Sequence, residues 1–379
     1  MKLHIRLLAL FLALCLCLGG CAQTVPDAPI TEDEIPQPLI PLLPEQEVLP
    51  ENPDPVLSTQ EVEEFVLSFA GDCTFGNNYN ASSSSGFLGV VGKKYEYPFS
   101  NVKTYFENDD FTFVNLECAL TSYNPNEKEM EELSTHRFRF RGPKDYAKIL
   151  TAGSVEFASC ANNHSKDYAL QGLYDTWDAL EEEGVHYASF GKTALATSES
   201  GLTVGLIACF FWLSEAQIRT QSEKLREQGA ELIVVSIHWG DEGVYSPNDT
   251  QKSLGRQAID GGADIVFGHH SHTLQWIEPY NGGIIYYSLG NFSFGGNNNP
   301  SDKDSAIIQQ KVLRCEDGTV ALGDLEIIPC RVSSVTTWND FRPTPMESGT
   351  EEYNRVLQKL EGSFDGLDHP ANYPPMTNS

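Results

Sequence analysis

Basic residues are scarce in this sequence: 25 Lys and Arg stand against 53 Asp and Glu among 379 residues, which gives a formal net charge of -28. Nucleic acids and anionic lipid surfaces both bind basic protein faces. This balance therefore excludes nucleic acid as a partner and argues against electrostatic adhesion to a membrane. Apolar residues make up 40% of the chain, a globular profile that can bury a sizeable core.

Residues 1–20 have the composition of a targeting segment. Lys2 and Arg6 supply positive charge, and the apolar run Leu7–Leu18 is too short to span a bilayer as a helix. The run leads through two glycines to Cys21, and this resembles the bacterial lipobox, in which the cysteine is diacylated. We therefore predict a lipoprotein signal peptide, lipidation at Cys21, and a membrane-anchored protein on the outer face of the bacterial cell membrane. A plain secretory peptide is the alternative.

Residues 21–63 contain no Lys or Arg and are dense in Pro, Asp and Glu. Such a composition cannot bury enough apolar surface to fold, and proline keeps the chain extended. We predict that this segment is a disordered tether between the anchor and a folded domain.

The cysteines of the remaining chain fall into two groups. Cys315 and Cys330 are the best candidates for a disulfide in an exported protein, although the sequence does not establish the pair. The others lie in or at the end of apolar runs, which predicts buried side chains; they are Cys73, Cys118, Cys160 and Cys209.

Strand and helix patterns alternate from residue 64 onward, and two hairpins follow late in the chain. This alternation predicts an α/β fold. We place one domain at residues 64–335 and a C-terminal extension at residues 336–379.

Five predicted buried strands each end in a small polar cluster. The clusters are Asp72, Asn115 with Glu117, Asn163 with His164, His238, and His269 to His272. Each one alone has an ordinary explanation as a turn, a helix cap or a half-buried histidine. Together they indicate a metal site, because strand ends on one side of a parallel sheet face one crevice and these side chains bind divalent ions such as Mn, Fe or Zn. An inherited but inactive cleft is the alternative.

The stretch Ile265–His272 carries three histidines within four positions. Side chains alternate in an extended chain, so His270 and His272 are expected to point to one side and His269 to the other. We therefore favour His270 and His272 as ligands. A histidine-rich surface turn is the alternative.

Six segments in this order resemble the CapA/PgsA-type family of poly-γ-glutamate capsule synthesis proteins, which is similar to calcineurin-like metallophosphoesterases. They cover about residues 65–295, and together they are far more specific than any one of them. The segments are Phe69 to Asp72, Val114 to Glu117, Ala161 to His164 with Asp167-Tyr168, Ile237 to Gly240, Gly268 to His272, and Tyr287 to Phe292. The resemblance implies a four-layer α/β/β/α sandwich of metallophosphoesterase type with a two-metal site.

The resemblance also implies roles for individual residues. Metal ligands would be Asp72, Glu117, Asn163, His238, His270 and His272. Catalytic roles would fall to His164 and Asp167, and further site positions to Asn115, His269 and Asn291. Thr74 stands where dimetal phosphoesterases usually carry a histidine, which leaves open whether one or two divalent ions bind.

These implications predict a membrane-anchored extracytoplasmic protein involved in poly-γ-glutamate capsule biosynthesis or export, with a divalent-metal hydrolase site. Two alternatives stay open. One is a non-catalytic accessory subunit of a polyglutamate synthase or export complex, and the other is a metallophosphoesterase acting on envelope or nutrient phosphates. Simple binding of free polyglutamate is disfavoured, because a domain this acidic repels a polyanion unless cations bridge the two.

Overall fold

The computed structural model describes residues 62–133, 138–211 and 213–366. The predicted signal peptide, the predicted lipidation site Cys21 and all but the last two residues of the predicted tether lie outside these ranges. Among the helices that the structure describes, none is long and apolar enough to span a bilayer.

The first sheet is mainly parallel at its centre and antiparallel at one edge. Its strands are β1 (Glu63–Thr74), β3 (Phe111–Leu116), β6 (Phe157–Ser159), β7 (His186–Ala188), β14 (Asn291–Phe294), β15 (Asp304–Arg314), β16 (Val320–Arg331) and β17 (Thr344–Pro345). Their order in space is β17-β16-β15-β1-β3-β6-β7, and β14 pairs with the end of β1. Strands β1, β3, β6 and β7 run parallel, whereas β15 and β16 form one of the predicted late hairpins.

The second sheet has a parallel centre with an antiparallel strand at each edge. Its strands are β8 (Ala194–Thr197), β9 (Thr203–Phe210), β10 (Leu232–His238), β11 (Ile265–His269), β12 (Leu274–Tyr280) and β13 (Gly283–Leu289), in the spatial order β12-β13-β11-β10-β9-β8. Strands β12 and β13 form the other predicted hairpin. Strands β10 and β11 are buried throughout, as expected for strands that are covered on both faces.

Helices and a small third sheet complete the described fold. The helices are α1 (Gly86–Val91), α2 (Lys103–Phe106), α3 (Glu127–Leu133), α4 (Lys148–Ala152), α5 (Ala169–Glu182), α6 (Glu215–Glu227), α7 (Asp249–Asp260) and α8 (Glu351–Glu361), with a 3-10 turn at Lys144–Ala147. The small sheet contains β2 (Asn77–Asn78), β4 (Ala119–Leu120) and β5 (Phe140–Gly142). Helices α6 and α7 both begin at capping boxes, which satisfy the free N–H groups of the first turn.

The two large sheets pack face to face on an apolar core. Phe69 of β1 stacks on Phe113 of β3 at 5.0 Å between ring centroids and meets Phe267 of β11, in the opposite sheet, at 5.3 Å. The outer face of the first sheet packs on α1, α2, α4 and α5, and the outer face of the second packs on α6 and α7. Each fully buried phenylalanine contributes about 1.5–3 kcal/mol to this packing. The order of helix, sheet, sheet and helix confirms the predicted four-layer α/β/β/α sandwich.

The segment predicted as a C-terminal extension packs on the same domain. Strand β17 pairs with β16, and Val356 and Leu360 of α8 belong to the core between the two sheets. Lys359 of the same helix is 2% exposed and forms ion pairs with Asp302 and Asp304. Helix α8 is therefore held by both apolar and ionic contacts.

Cys315 and Cys330, the disulfide candidates whose pairing the sequence left open, do not form a disulfide in the structure, because both thiols are free. The two residues lie at opposite ends of the β15–β16 hairpin. Cys315 follows β15 at the turn, whereas the strand register places Cys330 opposite Ser305. A disulfide requires Cα atoms within about 7 Å, and this register keeps the two residues much farther apart. The prediction that Cys73, Cys118, Cys160 and Cys209 are buried is confirmed.

Candidate metal centre

The polar clusters meet where strands of both large sheets end. In the first sheet, the register pairs Asp72 of β1 with Asn115 of β3 on one side and with Asn291 of β14 on the other. In the second sheet, His238 of β10 lies beside His269 of β11. The sequence-based expectation of one crevice at one side of one sheet is therefore wrong in its detail. The crevice lies between the carboxyl ends of two sheets, and each sheet supplies part of the site.

Asp72 is fully buried and surrounded by donors. Its Oδ1 accepts a hydrogen bond from Asn115 Nδ2 at 2.8 Å and lies 3.2 Å from His269 Nδ1. Its Oδ2 lies 3.3 Å from His272 Nδ1 and accepts from the backbone N–H of His270 at 3.3 Å. Burial alone would raise the pKa of Asp72, but the contacts with His269 and His272 outweigh burial and hold the pKa well below its usual range. Asp72 is therefore a buried anion.

Glu117 lies at the centre of the crevice with one carboxylate oxygen unpaired. Its Oε1 is 3.7 Å from His238 Nε2, 3.8 Å from His272 Nε2 and 3.9 Å from His164 Nε2, and it makes no hydrogen bond within the described residues. Burial and the nearby charge of Asp72 raise the pKa of Glu117 well above its usual value. A buried carboxylate oxygen without a hydrogen bond is costly, and the ring nitrogens that face it are themselves metal-ligand atoms, so this arrangement could hold a metal ion.

The distances around Glu117 fit a shared divalent ion. Two ligand atoms that each lie about 2.1 Å from one ion can be at most about 4.2 Å apart, and the three distances fall within this limit. Two groups of three residues share Glu117, and within each group the ligand atoms all lie within 4.8 Å of one another. The first group is Asp72, Glu117 and His272, and the second is Glu117, His238 and His270. His238 Nε2 and His270 Nδ1 are buried without a hydrogen-bond partner in the described chain. The donor set therefore fits one ion or two.

The alternation that favoured His270 and His272 over His269 does not hold, because β11 ends at His269. His270 and His272 have φ angles of 91° and 55°, so the chain turns at both residues instead of continuing extended. His269 therefore does not point away from the site, and its Nδ1 faces Asp72 while its Nε2 lies 3.1 Å from Ser236 Oγ. A left-handed backbone at a non-glycine residue costs about 1–3 kcal/mol, and such strain is concentrated at functional sites.

The histidine rings differ in charge. Burial, with His270 nearby, lowers the pKa of His238 well below its usual value, and burial with His272 nearby lowers the pKa of His270 to about 4. Both imidazoles are therefore neutral at pH 7, which is the form that binds metal ions. Burial by itself would lower the pKa of His272, but Glu117 and Asp72 outweigh it and raise this pKa to about 10.

His164 and Asp167 form a pair beside the crevice. Asp167 Oδ2 lies 2.7 Å from His164 Nδ1 and accepts a hydrogen bond from the backbone N–H of Phe140 at 2.6 Å. The ring of Phe140 packs against the His164 ring at 4.5 Å between centroids. These contacts fix the imidazole with Nε2 directed at Glu117. The structure thus places Asp167 behind His164, where it orients the ring.

Two asparagines and Thr74 define the remaining predicted positions. Asn163 Oδ1 is buried and has no hydrogen-bond partner in the described residues, so it is available as a ligand atom. Asn291 Oδ1 lies 3.0 Å from His272 Nδ1 and holds that ring. The hydroxyl of Thr74 donates to the backbone carbonyl of Glu117 at 3.0 Å and does not substitute for a histidine ligand.

Glu242 belongs to the crevice, although no sequence pattern singled it out. One of its carboxylate oxygens lies with ring nitrogens of His270 and His272 in a third group whose atoms are within 4.8 Å of one another. The available signal was a carboxylate four residues after His238, in Gly240-Asp241-Glu242-Gly243. Asp241 stands beside it in the same loop, so the sequence offered no means of choosing between them.

The chain is similar to proteins of bacterial capsule synthesis. The family described as bacterial capsule synthesis protein PGA_cap matches residues 66–211 and 200–296. The chain is 25% identical over 328 residues to the capsule biosynthesis protein CapA of Bacillus anthracis, which covers 79% of this chain and 74% of that protein. It is 26% identical over 329 residues to the PGA biosynthesis protein CapA of Bacillus subtilis (strain 168), which covers 81% of this chain and 80% of that protein. Among solved structures, the NAD nucleotidase of Haemophilus influenzae is 12% identical with a TM-score of 0.40, covering 80% of this chain and 63% of that one.

Proposed function

Because the chain belongs to the bacterial capsule synthesis protein PGA_cap family, we propose that it serves poly-γ-glutamate capsule biosynthesis or export as a divalent-metal hydrolase. In this proposal the domain is tethered to the outer face of the cell membrane through a lipid on Cys21 and works beside the polymer synthase or export complex. The observation that supports a metal-dependent hydrolase is the environment of Glu117 Oε1. This atom is buried, makes no hydrogen bond to the described residues, and is faced by three histidine nitrogens at 3.7–3.9 Å.

The residues that would hold the metal are Asp72, Glu117, Asn163, His238, His270 and His272. When bound, a divalent ion such as Mn, Fe or Zn supplies Lewis acidity, which polarises a phosphoryl or amide centre and lowers the pKa of a water molecule. Asp72 supplies the negative charge that attracts the cation, and Glu117, whose pKa burial raises, would add its own charge when a bound cation replaces its proton. Asn115 keeps the two carboxylates in place through hydrogen bonds at 2.8 Å to Asp72 and 3.5 Å to Glu117.

His164 is the residue best placed to move a proton. Its Nδ1 contacts Asp167, so the proton on that nitrogen is held by a carboxylate, and Nε2 is left facing the crevice. His164 Nε2 can therefore accept a proton from a water molecule, and the imidazolium formed in this way, stabilised by Asp167, can donate that proton to a leaving group or bind a developing negative charge.

Metal analysis of the purified full-length protein tests the proposal. We expect at least one divalent ion per chain in the wild type, and none in a variant that carries His270→Ala and His272→Ala. A wild-type protein that retains no metal after incubation with Mn, Fe or Zn salts would contradict the proposal that the protein is a metal-dependent hydrolase.

Asp167→Asn is expected to lower turnover of a chromogenic phosphate diester by about 10- to 100-fold with the metal content unchanged, because the amide no longer fixes the His164 tautomer. Steady-state kinetics and metal analysis of the same preparations measure the two effects. Asp178→Asn, an exposed change on α5, is the control. Unchanged turnover in Asp167→Asn would show that the pair does not position a proton donor.

An accessory role is the second candidate, and the observation that favours it is Thr74. With its hydroxyl bound to the Glu117 carbonyl, this position contributes no histidine to the donor set. Capsule formation in a deletion strain separates the two functions when the strain is complemented with the double His270→Ala, His272→Ala variant. If this variant restores capsule formation, the folded domain acts as an accessory scaffold and its metal site is not required.

A further inference from the structure

A carboxylate lies at the mouth of the crevice without a partner. Glu242 is exposed, and in the described chain its carboxylate makes no hydrogen bond or ion pair. One of its oxygens nevertheless lies within 4.8 Å of ring nitrogens of both His270 and His272. Each of these histidines belongs to a different one of the two groups that share Glu117. Glu242 therefore faces both groups from the solvent side, whereas Glu117 faces them from the interior.

The loop that carries Glu242 is held on both sides. Gly240 and Gly243 have φ angles of 85° and 76°, which permit the tight turn that presents the side chain between them. The backbone N–H of Gly243 donates to the carbonyl of Ser271 at 2.8 Å, between the two histidines in sequence. One residue later, the carbonyl of Val244 accepts hydrogen bonds from Thr273 Oγ1 at 2.9 Å and Gln275 Nε2 at 2.8 Å. These hydrogen bonds hold the loop so that Glu242 lies beside His270 and His272.

His270 supplies the second observation. Its Nδ1 is buried and has no hydrogen-bond partner in the part of the chain that the structure describes. The left-handed backbone at His270 carries strain, and this conformation directs the ring toward the crevice instead of along β11. A strained backbone, an unpartnered ring nitrogen and a braced carboxylate at one point are the features of a ligand set.

We propose that Glu242 is a metal ligand that, with His270 and His272, completes the divalent-cation site from its solvent side. The proposal rests on the metal-binding function proposed above and adds a residue to it. Carboxylate and imidazole together suit Mn, Fe or Zn, and the exposed position allows exchange with solvent and with an anionic substrate. Asp241 takes no part, because its Oδ2 accepts a hydrogen bond from Asn248 Nδ2 at 2.9 Å.

Titration of the metal-free full-length protein with Co²⁺ tests the assignment through affinity and the visible absorption spectrum. Glu242→Gln is expected to weaken binding by about 10- to 100-fold and to change the spectrum, because an oxygen ligand is lost. Asp241→Asn removes the same charge one residue away and is expected to change the affinity by less than about threefold with the spectrum unchanged. Thermal melting of the metal-free variants checks that both fold.

Each other outcome has a defined meaning. Equal weakening by Glu242→Gln and Asp241→Asn with unchanged spectra would reduce Glu242 to a general electrostatic effect and overturn the assignment. Wild-type affinity in Glu242→Gln would overturn it as well. If the wild-type protein itself binds no Co²⁺, the metal-binding function fails, and this inference fails with it.

Discussion

Glu117→Gln is expected to weaken divalent-metal binding by at least about 1,000-fold, which corresponds to about 4 kcal/mol of binding free energy. Glu117 is the one residue shared by the two inner ligand groups, so a single substitution affects both. The amide keeps the volume of the carboxylate but supplies neither its charge nor its second equivalent oxygen. Isothermal titration with Mn²⁺ or Zn²⁺ measures the loss, and Glu223→Gln, an exposed change on α6, controls for net charge.

The same variant is expected to fold when no metal is present and to lose only the attraction between the Glu117 carboxylate and His272. A buried polar atom without a hydrogen bond lowers the stability of the fold by about 1–3 kcal/mol. Glu117 Oε1 has no hydrogen-bond partner among the described residues, so replacing this oxygen breaks no hydrogen bond. Metal at 100 times its dissociation constant stabilises the wild type by about 2.7 kcal/mol, and the variant should gain nothing. Equal metal-dependent stabilisation of both proteins would show that Glu117 is not a ligand.

Lys359→Met is expected to lower the free energy of unfolding by about 3–5 kcal/mol, because it leaves two buried carboxylates without their shared cation. Lys359 Nζ lies 2.8 Å from Asp302 and 2.7 Å from Asp304, and Arg355 binds Asp304 through two hydrogen bonds of 2.7 Å. Chemical denaturation measures the change. Lys311→Met breaks a half-exposed pair with Glu64 and is expected to cost less than about 1 kcal/mol.

The loss of unfolding free energy caused by Lys359→Met should become smaller as the pH falls. Burial would raise the pKa of Asp304, but Arg355 and Lys359 outweigh it and keep the folded pKa below the unfolded value. The ionised carboxylate therefore contributes stability above about pH 4, and this contribution is lost as the pH falls through the folded pKa. In the variant, acid also protonates carboxylates that have lost the charge of Lys359, which lowers the free-energy cost of burying them. The stability difference between the two proteins should therefore narrow in acid, and a difference that widens would contradict the assigned ion cluster.

Local patterns in the sequence predicted the α/β class and the polar clusters at the strand ends, whereas the four layers and the roles of single residues were implied by the family resemblance. An apolar run followed at once by Asp72, His238 or His269 locates a strand and its end together, and parallel strands place such ends at one edge. The sequence did not show that the ends belong to two facing sheets. That arrangement depends on Phe69 meeting Phe267 across the core, a contact between residues almost 200 positions apart.

The errors have a common cause. The alternation argument for His269 assumed an extended chain, and the left-handed φ angles at His270 and His272 are imposed by surroundings that no local pattern records. Glu242 escaped notice because loop position is set by hydrogen bonds to Ser271, Thr273 and Gln275. The sequence could not decide whether Cys315 and Cys330 pair, because hairpin register, and not spacing along the chain, decides which residues face each other.

The division of the crevice between two sheets has a consequence for biogenesis. Asp72 and His270 are joined by a hydrogen bond across 198 positions of sequence, and Asp72 also pairs with Asn291 of β14. Contacts of such long range form late, after the costly closure of the intervening chain. The proposed cation site is therefore incomplete until both halves of the sandwich have closed. Under the proposed function, retention of a divalent ion would thus report that folding is finished.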